Sequence, residues 1–203
     1  MKKVYVVGGD TYYASFLHDY ILVDSVKDAD IVIFTGGEDV DPSFYGAKKH
    51  PTTYSNIARD KYEKEVFDSI PKDKLVVGIC RGAQWLCVMN GYPLYQNVVG
   101  HALAHTHQIT NGKLVFEITS THHQMQHLTS LSNKDYDILF YANECYHNPE
   151  EFDDDPNGQF IEPEIVLYHK DNLPKCLAIQ GHPEMMRKDA PVVTMINELI
   201  NQL

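Results

Sequence analysis

The chain has 203 residues, of which 43% are hydrophobic and 22% charged, and a formal net charge of −11. That is the make-up of a soluble globular protein, and the length suits one α/β domain over residues 1–203 with a sizeable core. The acidic balance excludes nucleic acid and anionic membrane as partners, and the four unevenly spaced cysteines make no disulfide or metal framework.

In chain order, residues 4–7 predict a first strand that ends in glycines. The opening Met1-Lys2-Lys3 reaches Gly8 too soon to leave room for a signal-peptide core, and no stretch approaches membrane-spanning length. With a thiol that needs a reducing compartment, this predicts a cytoplasmic protein. Residues 11–19 predict a short helix capped by Asp10 or Thr11, and residues 31–34 a buried strand. A helix over 60–70 stops at Pro71, a strand over 75–79 follows, and a helix over 82–90 ends at Gly91. Strand character returns at 114–119, 137–142, 165–169 and 176–180. Val192, Val193, Ile196, Leu199, Ile200 and Leu203 recur at helical spacing, so a last helix packs one face on the sheet. Unbroken apolar runs interleaved with helices predict a three-layer α/β fold, a mostly parallel central sheet with helices on both faces.

The chemistry centres on Gly78-Ile79-Cys80-Arg81-Gly82. An apolar strand stops at a cysteine framed by glycines and a helix begins, the sequence of a nucleophile elbow. The helix N-terminus aims N–H groups and a positive dipole end at the sulfur, which favours a thiolate. A cysteine after a strand is more often a small buried hydrophobe; Cys87, Cys145 and Cys176 lack the glycine frame and read that way. A base must come from elsewhere in the chain. Gln180-Gly181-His182-Pro183-Glu184 follows another strand, and Pro183 stiffens a segment in which Glu184 can orient the His182 imidazole. Ligands of such sheets bind beyond the carboxyl ends of the strands. Cys80, His182 and the Gly36-Gly37 loop all fall at that edge.

These segments resemble the class I glutamine amidotransferase family, whose fold is flavodoxin-like. Thr35-Gly36-Gly37-Glu38-Asp39-Val40-Asp41-Pro42, Arg59-Asp60-Lys61-Tyr62-Glu63 and Ser120-Thr121-His122-His123-Gln124 are similar to its free-standing γ-glutamyl hydrolase branch, which includes γ-glutamyl-γ-aminobutyrate hydrolases. The resemblance implies Cys80 as nucleophile, His182 as base and Glu184 as its orienter. It places the oxyanion hole at the backbone N–H groups of Gly37 and Arg81, and Gly36, Gln84, His123 and Gln124 around the substrate. Two positions depart from its pattern: Gly181 stands where an aromatic residue is frequent, and Thr119 where the branch commonly has Asn.

The activity implied is hydrolysis of a small γ-glutamyl amide through a thioester, without cofactor, by a monomer or a homodimer. Two alternatives stand beside it: a glutaminase subunit feeding ammonia to a separate synthetase, and a catalytically silent binder of a γ-glutamyl metabolite. His101, His105 and His107 with His122 and His123 match no zinc spacing and have no suitably placed carboxylate, so no metal is expected. The acidic stretch 150–158 reads as a solvated loop, or as a lid facing a substrate amine.

Overall fold

The computed structural model describes residues 1–102, 105–144 and 161–203. Cys145 and the acidic stretch 150–158 lie outside the described residues. The strands are β1 (Lys2–Val6), β2 (Tyr20–Leu22), β3 (Ile31–Phe34), β4 (Leu75–Ile79), β5 (Leu94–Tyr95), β6 (His105–Thr110), β7 (Val115–Ser120), β8 (Met125–Gln126), β9 (Tyr136–Ala142), β10 (Pro163–Tyr168) and β11 (Lys175–Ile179). The helices are α1 (Ile57–Ser69), α2 (Arg81–Met89) and α3 (Pro191–Gln202). Among the described residues no helix is long and apolar enough to cross a membrane.

Nine strands form the central sheet in the order β2-β1-β3-β4-β11-β10-β9-β6-β7, and β5 pairs with β8 apart from it. The first five are parallel, whereas β10, β9, β6 and β7 pair antiparallel. Seven of the nine strands therefore run in one direction, only β10 and β6 opposing them.

Alternation along each parallel strand builds two cores. Ile31, Ile33, Leu75, Val77, Leu177 and Ile179 face a layer with Val192, Val193, Ile196 and Ile200 of α3. Val32, Phe34, Val76, Cys176 and Ala178 face the other layer, with Phe67 of α1 and Ala83 to Val88 of α2. The α/β layering and the inward face of α3 agree with the sequence pattern.

Three local differences have physical causes. Residues 11–19 form only a 3-10 turn, Thr11–Ala14, capped by the Asp10 carboxylate, because Ala14, Phe16 and Leu17 all turn into the core. Helix α1 starts three residues earlier than expected, where the Asn56 side chain caps the Arg59 N–H at 3.2 Å. Strand β6 has no apolar run to reveal it; His105 and Thr106 are exposed, while His107 and Thr110 are buried polar residues.

Candidate active site

Strands β3, β4 and β11 are neighbours in the sheet, so their carboxyl ends lie side by side. Gly36-Gly37 leaves β3, Cys80 leaves β4 and His182 leaves β11. Cys80 has φ 53° and ψ −109°, and among the described residues it is the only non-glycine with positive φ. Such a conformation costs about 1–3 kcal/mol and persists only where the surroundings impose it. Here they do: its N–H continues the ladder to the Ile179 carbonyl at 2.8 Å, and α2 begins at the next residue. The glycine frame has a packing cause as well. A Cβ on Gly78 would overlap the Gly82 carbonyl, and one on Gly82 would overlap the Phe34 carbonyl of β3. Strand and helix cross closely enough there to exclude any side chain.

His182 opens a 3-10 turn with Pro183 at its first position, and its Nδ1 lies 2.7 Å from Glu184 Oε1. Cys80 is the ring's other polar neighbour. Burial alone would lower the His182 pKa; the hydrogen bonds to Cys80 and Glu184 and their negative charges outweigh it and push it up to about 10. The imidazolium form is thus held at neutral pH beside the sulfur. Tyr13 closes the other side, its ring centroid 6.4 Å from that of His182, and burial with the charges of Glu184 and Cys80 pushes its phenol up to about 12. A Cβ on Gly36 would lie 2.6 Å from the Tyr13 hydroxyl and 3.4 Å from His182 Cε1, so the glycine loop borders the same space.

Both departures from the family pattern meet at β7. Thr119 Oγ1 accepts the His182 N–H at 3.1 Å and donates to its carbonyl at 2.8 Å, fixing the backbone from which the imidazole projects. A Cβ on Gly181 would stand 2.6 Å from both Ile118 Cγ1 and the Thr119 carbonyl. β7 fills the place that a larger residue before His182 would need.

The charged motif on α1 supports the elbow from below. Its inward face carries Asp60, Glu63 and Phe67, the i, i+3 and i+7 positions of one stripe. The fully buried Arg81 guanidinium forms ion pairs with Asp60 and Glu63 and lies 5.2 Å from the centre of the Trp85 ring. Its Nε donates to the Glu38 carbonyl at 3.1 Å. Arg59 pairs with Glu63 at 2.8 Å and donates to the Gly36 carbonyl at 2.9 Å. Asp60 Oδ2 accepts the Asp41 N–H at 2.9 Å. One charge network therefore holds the glycine loop and the start of α2 in fixed relation. As the first residue of α2, Arg81 has a backbone N–H without an intrahelical acceptor.

The remaining predicted residues form a connected wall. Gln84 Nε2 donates to the Gln124 carbonyl at 2.9 Å, and Gln124 Nε2 to Thr53 Oγ1 at 3.2 Å. His123 pairs with Asp39, two residues past Gly37, at 3.0 Å, and the hydrogen bond to that carboxylate raises its pKa. The sequence missed Tyr13 and the structural roles of Thr119, Arg59, Asp60 and Glu63. Only the last three had a legible signal, in acids three apart on one helix face. The reading of the histidines is also corrected. His101, His107 and His122 do meet carboxylates, Glu162 and Glu164 of the strand β10 region, which are distant in sequence; His105 is exposed and His123 stands apart.

The fold and this arrangement define a class I glutamine amidotransferase-like protein. The chain belongs to the peptidase C26 family, whose model matches residues 4–137, a span that includes Gly36, Cys80 and Gln124 but stops before His182. It is 31% identical over 169 residues to a Mycobacterium tuberculosis protein named as a glutamine amidotransferase, covering 78% of this chain and 51% of that one. A Schizosaccharomyces pombe protein named likewise is 35% identical over 118 residues, 47% of each chain. The chain spans about half the length of these curated relatives. Among solved structures, a Thermotoga maritima glutamine amidotransferase superposes with TM-score 0.54 at 12% identity, over 98% of this chain and 80% of that one. A Thermoplasma acidophilum protein named for GMP synthase gives TM-score 0.54 at 14% identity, over 99% and 98%. At these identities the structures share the fold.

Proposed function

We propose that the protein hydrolyses a small γ-glutamyl amide with Cys80 as nucleophile, His182 as acid and base, and Glu184 as the carboxylate that orients it. The observation that carries this reading is the chain of contacts from the strained Cys80 through the His182 ring to Glu184, with Nδ1 to Oε1 at 2.7 Å. The sulfur adds to the γ-carbonyl carbon, and the oxyanion is received by the N–H groups of Gly37 and Arg81. Collapse breaks the C–N bond as the His182 imidazolium gives its proton to the departing amine, leaving a γ-glutamyl thioester. Water, deprotonated by neutral His182, then adds to the thioester; the C–S bond breaks and glutamate leaves. A His182 pushed up to about 10 supports the first half of this cycle, because the proton to be donated is present at neutral pH.

Gly36, Gln84, His123 and Gln124 are assigned to the glutamyl head. Family membership supports amide hydrolysis, and glutamine, for which the relatives are named, is itself a γ-glutamyl amide. The leaving amine is assigned only as a class.

The test is incubation with a panel of γ-glutamyl amides, glutamine included, with released glutamate read by mass spectrometry. Wild type should release glutamate from at least one, and Cys80→Ala should lose on the order of 10⁴-fold or more, because nucleophile and base act as a unit. Full activity in Cys80→Ala would sink the reading. Turnover of glutamine only after a partner is added would replace it with a glutaminase that works inside a larger complex.

A further inference from the structure

Beside the candidate active site, five ionisable side chains are sealed from solvent with no part in the chemistry above. Side chains of His101, Glu162 and Glu164 are at most 1% exposed, and those of His107 and His122 at most 2%. They come from four places: the segment before β6, β6 itself, the turn after β7, and the start of β10. β6 pairs with β9 only at Ile109 and Thr110. Its earlier part therefore lies clear of β9, and His107 Nε2 reaches Glu164 Oε1 at 3.0 Å.

The hydrogen bonds fix which atoms face inward. His122 Nδ1 lies 2.9 Å from the Gln124 carbonyl, which can only accept, so Nδ1 carries the hydrogen and Nε2 the lone pair. That Nε2 has no hydrogen-bond partner among the described residues and points at Glu164 Oε1, 3.9 Å away. In the neutral ring two acceptors thus face each other across this buried gap, an arrangement that a cation between them satisfies. His101 shows the complementary pattern: Nε2 lies 3.2 Å from Glu162 Oε2, while Nδ1 turns toward Glu164 Oε1 at 3.8 Å.

We infer that this cluster is a binding site for a divalent transition metal of the zinc class, with His101 Nδ1, His107 Nε2, His122 Nε2 and Glu164 Oε1 as ligands and Glu162 behind His101. Four donors at zinc-ligand distances stand roughly 3.3–3.4 Å apart in a tetrahedron. Here Glu164 Oε1 is 3.8, 3.0 and 3.9 Å from the three nitrogens, and donor atoms of His101, His107 and Glu164 lie within 4.8 Å of one another. Three nitrogens and one oxygen suit zinc or cobalt better than magnesium or calcium, which prefer oxygen. Glu162 behind His101 and the Gln124 carbonyl behind His122 are the outer partners that orient ligating imidazoles. The three rings crowd together, the centroid of His101 lying 4.6 Å from that of His122 and 5.3 Å from that of His107.

The ion is structural. It ties β6, β10 and the turn carrying His122 to one point, and the Glu164 backbone carbonyl accepts the Gln180 N–H at 2.8 Å, two residues before His182.

The test uses the full chain in the Cys80→Ala background, so that the thiol and His182 cannot supply the binding. Metal-stripped protein is titrated with Zn²⁺ by calorimetry, and with Co²⁺ for the visible spectrum of a tetrahedral site. The expected result is one ion per chain, a tetrahedral cobalt spectrum and a melting temperature that rises with free zinc. Glu164→Gln, nearly isosteric, should weaken zinc binding at least tenfold and abolish that rise; His107→Asn should do the same if Glu164→Gln fails to fold. His105→Gln, at an exposed position, should change nothing. Zinc binding that is absent, or equal in Glu164→Gln, His107→Asn and their parent, would overturn the proposal and leave a proton shared between Glu164 and His122.

Discussion

The buried side chains of β1, β3, β4 and β11 are aliphatic, aromatic or cysteine, whereas the antiparallel side of the sheet buries His107, Glu162 and Glu164 and packs His101 and His122 against them. On the parallel side, sheet and helices hold each other mainly by apolar area, and the buried charged groups gather at the carboxyl ends where the chemistry lies. The antiparallel side adds to its buried apolar residues, Ile109, Ile118, Phe140 and Ile165 among them, a polar cluster that must be satisfied group by group. His182 belongs to both: it leaves β11 on one side and is gripped by Thr119 of β7 from the other. A catalytic base positioned at such a seam depends on two kinds of packing at once.

The largest expected effect tests whether the parallel side also relies on buried charge beneath the elbow. Glu63→Gln leaves Arg81 and Arg59 short of a partner; breaking a buried pair in this way costs about 3–5 kcal/mol. Urea denaturation should show a lowered midpoint that, multiplied by the m-value, gives a loss of that size, and an unchanged midpoint would mean that apolar packing alone holds the elbow.

Gly181→Ala probes the seam. The added methyl meets Ile118 and the Thr119 carbonyl, so about 1–3 kcal/mol of stability is lost to overpacking. The melting temperature should fall and glutamate release should fall with it, since His182 is the next residue. A melting temperature equal to wild type would show that β7 yields freely.

The most gradual effect is a slope with pH. His182 binds its proton more tightly in the folded chain, at about 10 against an ordinary 6.5. Its contribution to stability is fully present below pH 6.5 and is lost as pH rises through 10, by at most about 1.4 kcal/mol per pH unit. The stability difference between wild type and His182→Gln, followed by denaturation across that window, should shrink as pH rises; a difference that grows would contradict the imidazolium assignment.

The same contrast explains what could be read without coordinates. β3, β4 and β11 are runs of apolar residues, and the glycines around Cys80 are a local signal that the crossing of α2 over β3 and β4 demands. Cys80, His182 and Glu184 were legible because they follow predictable strands, Cys80 after β4 and the other two in the segment after β11. β6 was not, since His105, Thr106, His107 and Gln108 carry no apolar alternation, and the burial of His107 is tied to Glu164 of β10, more than fifty residues away. Asp60 and Glu63 face inward on α1 against the usual rule for charged residues, and only Arg81 explains why. Tyr13 reaches the site because the chain after β1 turns into the core instead of forming a longer helix.

The pairing of Arg81 with Asp60 and Glu63 has one further consequence. Surface ion pairs weaken as dissolved salt rises, but pairs sealed from solvent are screened far less. The exterior of this molecule, with a net charge of −11, responds to ionic strength at every encounter with a charged partner. The elbow beneath Cys80 responds far less: its electrostatic anchor keeps nearly the same strength in dilute buffer and in concentrated salt.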